Sequence, residues 1–182
     1  MKICAIDIDG VLCEYPKQWL RYIAMHADCS FDDLRDAKNH LSFSEYKTLK
    51  EAYRNSGLKK TIPSIQGATE FIKELKRKGY IVVLLTARPI FQNKKVLEDT
   101  LAWLSIHKIQ HDLIFQGKDK HIKLLKYFKE VDFMVEDNAH NANIVAKAGF
   151  KTYLMDNKYN REETHKNVHR VTRLIDILED LK

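Results

Sequence analysis

The sequence predicts an α/β fold, a Rossmann-like parallel sheet sandwiched by helices, and three observations carry that expectation. Short, continuous apolar runs alternate with longer segments of helical period. The runs lack the in-and-out alternation of a half-solvated sheet, so they suit strands covered on both faces. Gly79 and Gly149 stand where helix ends belong. Alternating elements of this kind give parallel strands joined by right-handed crossovers, which gather the C-terminal ends of the strands at one edge.

The elements follow in order. An apolar run from Ile3 to Ile6 leads into Asp7-Ile8-Asp9-Gly10-Val11-Leu12. Residues 80–85 form a second strand ending at Thr86, and residues 112–115, 131–135 and 151–155 form three more. Helical patterns lie between them at about residues 66–77, 93–107, 120–129 and 139–148, with a final helix after Arg170-Val171. The stretch from Glu14 to Ile62 breaks the rhythm: it is helical in character, rich in aromatics and without a convincing strand. We therefore expect a core of residues 1–14 and 63–182, with a small helical cap of residues 15–62 inserted after the first strand. Such an insertion hangs over the sheet edge where the strands end.

A length of 182 residues is ample for one main domain with a real core. Lys and Arg exceed Asp and Glu by 31 to 25, a net charge of +6 that suits an anionic substrate. The excess is spread along helices and reads mostly as solvated helix faces, so nucleic acid is an unlikely partner though not an excluded one. No apolar run approaches the ~20 residues that span a bilayer. Met1-Lys2 leads directly into a strand, without the pattern of an export signal. Cys4, Cys13 and Cys29 are few and lack metal-type spacing, as expected of a cytoplasmic protein.

The chemistry gathers at strand ends. Residues i and i+2 of a strand point to one side, so Asp7 and Asp9 converge, and Gly10 lets the backbone turn away. Two carboxylates held together repel and need a cation or a proton between them. Thr86-Ala87-Arg88 ends the second strand and Glu136-Asp137-Asn138 the fourth, with Asn138 as a helix cap. Gly117-Lys118-Asp119-Lys120 precedes a helix. Ligands of open α/β sheets bind outside these strand ends, so Asp7, Asp9, Thr86, a lysine and Asp137 can meet. That set suits phosphoryl transfer to a carboxylate. A hard divalent cation, Mg²⁺, would bridge Asp7, Asp137 and a phosphate oxygen. Thr86, nearby backbone N–H groups such as that of Ala87, and a lysine would hold the remaining oxygens.

Together Asp7-Ile8-Asp9-Gly10-Val11-Leu12, Leu85-Thr86-Ala87-Arg88, a helix-start lysine and Glu136-Asp137-Asn138 resemble the four motifs of the haloacid dehalogenase superfamily. The second aspartate is similar to that of its phosphatases and phosphomutases. The resemblance implies that Asp7 is the nucleophile and forms a phospho-aspartate. It also implies that Asp9 is the general acid/base and lends its carbonyl to Mg²⁺, and that Asp137 is a further metal ligand. Glu136 stands where many relatives have Asp, which leaves its share of the metal open. Lys120, Lys118 and the more distant Lys123 are the candidates for the third-motif lysine.

The inserted cap, Ile62-Pro63, Leu154-Met155-Asp156, Tyr159-Asn160-Arg161 and Arg170-Val171 look like the 5′-nucleotidase group with its 5′(3′)-deoxyribonucleotidases. This implies a nucleoside monophosphate as the small phosphorylated substrate. Trp19, Phe43 or Tyr15 would stack on its base, although cap aromatics more often form the cap's own core. Arg88 is either a substrate ligand or a structural residue. Alternatives are a phosphatase for another small ester or for polynucleotide 3′ ends, and a catalytically silent phosphate- or RNA-binding module. The polar segment with Glu162, Glu163, His165 and His169 reads as solvated, not as a metal site.

Overall fold

The computed structural model describes residues 1–117, 119–128 and 130–181. Six parallel strands form one sheet in the order β3-β2-β1-β4-β5-β6. They are β1 (Lys2–Ile6), β2 (Tyr80–Thr86), β3 (Leu113–Gln116), β4 (Phe133–Glu136), β5 (Thr152–Met155) and β6 (Val168–Val171). Alternate side chains of β1 enter opposite cores, as a strand period of two requires. Cys4 and Ile6 join a cluster with Phe71, Ile72, Trp103 and Ile177, whereas Ile3 and Ala5 join Leu124 and Val145. The helices α4 (Ala68–Arg77), α5 (Lys94–Ile106) and α8 (Leu174–Asp180) thus cover one face. The other face is covered by α6 (Lys120–Tyr127) and α7 (Ala139–Lys147). Gly79 and Gly149, at φ +81° and +98°, follow the ends of α4 and α7.

Three helices lie between β1 and β2: α1 (Lys17–Ala27), α2 (Leu34–His40) and α3 (Phe43–Asn55), followed by a 3₁₀ turn at Leu58–Thr61. They close on their own small core of Trp19, Ile23, Ala37 and Tyr53. Two sequence features set their limits. Ser42 and Glu45 form a reciprocal capping box that starts α3, and Asp33 accepts from the N–H groups of Arg35 and Asp36 to start α2. Entry and exit run side by side: the Glu14 N–H donates to Pro63 O at 2.9 Å and the Ile65 N–H to Leu12 O at 2.9 Å. The Trp103 indole donates to Ile62 O at 2.6 Å, fixing the exit segment to α5.

One strand was absent from the sequence expectation. Residues 168–171 sit within a segment read as solvated, yet they form β6 at the sheet edge. An edge strand of four residues with exposed His169 and Arg170 offers almost no hydrophobic period to detect.

Candidate active site

The register of the sheet builds the site. Ile6 pairs with Leu84 on one side and Val135 on the other, so β1 ends between β2 and β4. The chain leaves β2 and β3 on one side of β1 and resumes at β4 on the other, which makes this edge the topological switch point. Asp7 is the first residue beyond β1. Its N–H donates to Val135 O at 3.0 Å, and its Oδ1 accepts from the Ile8 N–H at 2.8 Å.

Asp7 Oδ2 lies 2.8 Å from Lys120 Nζ, which also lies 2.5 Å from Glu136 Oε2. All three side chains are buried. Glu136 Oε1 accepts the Asn138 N–H at 3.2 Å. Carboxylate oxygens of Asp7, Glu136 and Asp137 lie within 4.8 Å of one another. Burial drives the Asp7 carboxyl up; Lys120 pulls it back and Glu136 pushes it further, leaving it at about 7. Asp137 is raised as well, by burial, then by Glu136 and Asp7. Burial alone would lower the Lys120 ammonium, but Asp7 and Glu136 outweigh it and hold it above the usual lysine range.

The donor set fits a hard divalent cation: oxygen ligands only, more negative charge than one lysine offsets, and two carboxyls raised by burial and by neighbouring acids. The backbone is carved to match. A Cβ on Gly10 would stand 2.0 Å from Asp137 Oδ2, and Gly10 takes φ +82°. Glycine is required there twice over, for the left-handed turn and for the approach of the Asp137 carboxylate.

Asp9 points elsewhere. Arg88 Nη2 donates to its Oδ1 at 2.6 Å and Nε reaches both oxygens at 3.1 Å, while the Cys13 thiol donates to Oδ1 at 3.4 Å. Burial would raise the Asp9 carboxyl, but Arg88 and then Lys59 dominate and hold it well below the usual carboxylate range. The remaining Arg88 nitrogen donates to Thr100 Oγ1 at 3.2 Å. Its guanidinium is thus engaged by Asp9 and Thr100 while it lines the cavity. Thr86 is buried and its Oγ1 accepts the Arg88 N–H at 3.1 Å, which leaves the hydroxyl proton to give.

A cavity of about 590 Å³ joins these residues to the helical insertion. Asp7, Asp9, Ala87, Arg88, Lys120, Glu136 and Asp137 line its sheet side. Of the lysine candidates, Lys120 reaches Asp7, Lys123 packs over Gly117, and Lys118 lies outside the described residues. Asn138 caps α7, accepting the Asn141 N–H at 3.0 Å. Two expectations need correction. Trp19 is fully buried in the core of the insertion, and Phe43 is 83% exposed; neither lines the cavity. The α1 position of Trp19 faces the insertion's own core and the first position of α3, Phe43, faces water, so neither ring stands at the cavity.

Sequence reasoning gave Tyr159 no role in the metal cluster. Its hydroxyl donates to Asp137 Oδ2 at 2.7 Å, and Asn160 Nδ2 donates to Asp137 O at 2.6 Å. Arg170, from β6, ties that loop down through Asn160 O at 2.7 Å and Glu162 O at 2.8 Å. The signal existed as Tyr159-Asn160-Arg161 and Arg170, but only pairing of β6 with β5 brings them together. Sequence reasoning also missed Lys50 and Lys59, taken with the other lysines as solvated. Lys59 is 3% exposed and Lys50 is half-buried, and both face the cavity.

Four strand-end motifs meeting at one sheet edge, under a helical insertion after β1, define a hydrolase of the haloacid dehalogenase superfamily, and within it a phosphatase. The solved structures share that fold. A predicted phosphoglycolate phosphatase from Haemophilus somnus superposes with a TM-score of 0.72 at 16% identity, covering 100% of this chain and 98% of its own. A haloacid dehalogenase-like hydrolase from Streptococcus pneumoniae gives 0.71 at 12% identity, covering 100% and 99%. A D,D-heptose 1,7-bisphosphate phosphatase from B. bronchiseptica, complexed with magnesium and phosphate, gives 0.60 at 15%, covering 100% and 98%. More narrowly, residues 1–179 match the family described as 5′ nucleotidase, deoxy (pyrimidine), cytosolic type C, and the chain belongs to that family. A curated nucleotidase from Clostridium acetobutylicum is 27% identical over 93% of this chain and 88% of the relative.

Proposed function

We propose that the protein is a cytoplasmic, Mg²⁺-dependent phosphomonoesterase that acts on nucleoside monophosphates through a phospho-aspartate at Asp7. The observation that carries the reading is the cluster of Asp7, Lys120, Glu136 and Asp137 around a backbone hollowed at Gly10. The nucleotide rests on the family and on the curated nucleotidase. Residues 15–62 act as a cap over a core of residues 1–14 and 63–182, and exclude water from the cavity between them. No described helix is long and apolar enough to cross a membrane. The cytoplasmic location rests on the family's cytosolic type.

Asp7, Asp137 and the Asp9 carbonyl would hold the ion, with Glu136 anchoring Lys120. Bound Mg²⁺ supplies charge neutralisation between the carboxylates and a phosphate dianion, whose repulsion is otherwise about 4 kcal/mol per charge pair at ~4 Å and an effective dielectric of 20. An Asp7 oxygen attacks phosphorus and the ester oxygen leaves with a proton. Water then attacks the phosphorus of phospho-Asp7, loses a proton, and releases inorganic phosphate with the carboxylate restored. Lys120, the Thr86 hydroxyl and the N–H groups around Ala87 bind phosphoryl oxygens as charge spreads over them. Asp9 manages the protons. Paired with Arg88 it is ionised, which suits taking a proton from water. Giving one to the leaving oxygen requires the pair to part, so their contact belongs to a resting arrangement.

A panel of nucleoside and sugar monophosphates, assayed for phosphate release with Mg²⁺ and with a chelator, tests the reading. Asp7→Asn is expected to lower kcat by at least roughly a thousandfold. Wild-type turnover in that variant would falsify the covalent route, and a preference for sugar phosphates would remove the nucleotide.

A further inference from the structure

The reaction leaves the cap side of the cavity without a task, and the charges there are costly. Lys59 is 3% exposed, yet no hydrogen-bond or ion-pair partner for its ammonium is found among the described residues. The rings of Tyr15 and Tyr53 lie 5.5 and 5.3 Å from Nζ and compensate only in part. Lys50 Nζ stands 4.3 Å from the Trp19 ring and donates to the Tyr15 hydroxyl at 2.6 Å. Lys38, Arg35 and Arg54 line the same wall. The acid among its cap-side residues is Asp33, whose Oδ1 accepts the two N–H groups that start α2.

Burial lowers Lys59 to about 8 even with the Asp9 carboxylate pulling it back up, and burial, then Lys59, carry Lys50 well below the lysine range, against the same pull from Asp9. Two lysines beside the same Tyr15 and Tyr53 rings destabilise the cap, since apolar residues of that size would fill the space better. An anion between them reverses the sign, through charge-assisted hydrogen bonds to N–H groups that otherwise lack acceptors.

We propose that this wall is a second anion subsite, and that the substrate is a phosphomonoester bearing a further anionic group, phosphate or carboxylate, which Lys59 and Lys50 hold while the scissile phosphate lies at Asp7. The inference rests on the phosphatase reading of the site and names its substrate class. Both walls belong to one cavity of about 590 Å³, so a single small molecule can reach both.

The test uses non-hydrolysable ligands on the wild-type protein with Mg²⁺, followed by titration calorimetry. Alkane bisphosphonates and ω-phosphonocarboxylates of graded chain length are each compared with the matching alkylphosphonate. At least one doubly anionic series is expected to bind about tenfold or more tightly, a difference of about 1.4 kcal/mol. The series that gains tells phosphate from carboxylate. In Lys59→Met the ratio is expected to fall towards one, and in exposed Lys38→Gln to fall partway, which keeps the test decisive if the buried variant fails to fold. Equal binding of every pair, or a ratio unchanged in the variants, overturns the subsite. Turnover is scored separately: an enzyme that releases phosphate from monophosphates yet shows no anion preference loses only the subsite. Anion preference without hydrolysis of any ester, with or without Mg²⁺, removes the phosphatase reading and leaves the subsite standing.

Discussion

The two walls of the cavity manage charge in opposite ways. On the sheet side, the charges around Asp7 are interlocked: Asp7 with Lys120, Lys120 with Glu136, Asp9 with Arg88, Asp137 with Tyr159. Strand ends and helix starts fix these groups at one sheet edge, in the arrangement proposed above for one ion and one phosphate. On the cap side, Lys59 has rings beside it and no acceptor among the described residues, and the wall is cationic. A site whose side chains lock one another in place, and whose remaining negative charge suits a cation, is built to perform one reaction. A wall with an ammonium left over is built to receive something, and that division separates chemistry from selection.

The largest expected effect breaks the sheet-side interlock. Lys120→Met leaves Asp7 and Glu136 buried against each other, and a loss of about 3–5 kcal/mol in denaturant unfolding is expected, with loss of turnover. Adding Glu136→Gln should restore part of the stability but not the activity. If Lys120→Met unfolded like wild type, the cation would not be holding the carboxylates.

Arg88→Met is expected to cost nearly as much, about 3 kcal/mol, because it leaves Asp9 without its partner. The same change should raise the Asp9 carboxyl towards the ordinary range, since Arg88 is the main group holding it down. A shift of the acid limb of the pH–rate profile to higher pH reports this. An unmoved limb would detach Arg88 from the state of Asp9.

A smaller effect concerns protons exchanged for metal. Without an ion, Asp7 stands at about 7 and Asp137 is also raised, so near pH 6 Asp7 is mostly protonated. Metal binding must displace that proton, whereas well above pH 7 Asp7 has already lost it. Calorimetry in buffers of different ionisation enthalpy should find more protons released per Mg²⁺ near pH 6 than near pH 8. Equal release at both would contradict the raised carboxyls.

The smallest effect tests the loop that supports Asp137. Tyr159→Phe removes the hydroxyl 2.7 Å from Asp137 Oδ2 and should weaken Mg²⁺ binding about tenfold, with little change in fold stability. A larger loss of stability than of metal affinity would make Tyr159 a packing residue instead.

The sheet and the interlocked side were largely legible in the sequence. Apolar runs, helix caps and the turn that Gly10 permits are local properties. The expected convergence of Asp7 and Asp9, by contrast, fails because both lie just beyond β1 and take different partners. Knowing that strands are parallel is enough to bring Thr86, a lysine after β3 and Asp137 to the edge that carries Asp7, because right-handed crossovers gather the strand ends there. That the lysine is Lys120 shows only in its contact with Asp7. The local rule does not say which partner each side chain takes. Arg88 meets Asp9 across 79 positions, and Tyr159 meets Asp137 through a loop held by an edge strand too short to show a period.

By itself, then, the sequence determined the α/β architecture, the edge that carries the reaction and the acids placed there, since these follow from short-range periodicity and chain handedness. Only the tertiary structure decided that Trp19 is core, that Asp9 rests on Arg88, and that Lys59 is a buried ammonium facing a cavity and not a solvated one. A lysine has the same letter in water and in a pocket. Its desolvation, and so its capacity to hold an anion, depends on what the rest of the chain packs around it.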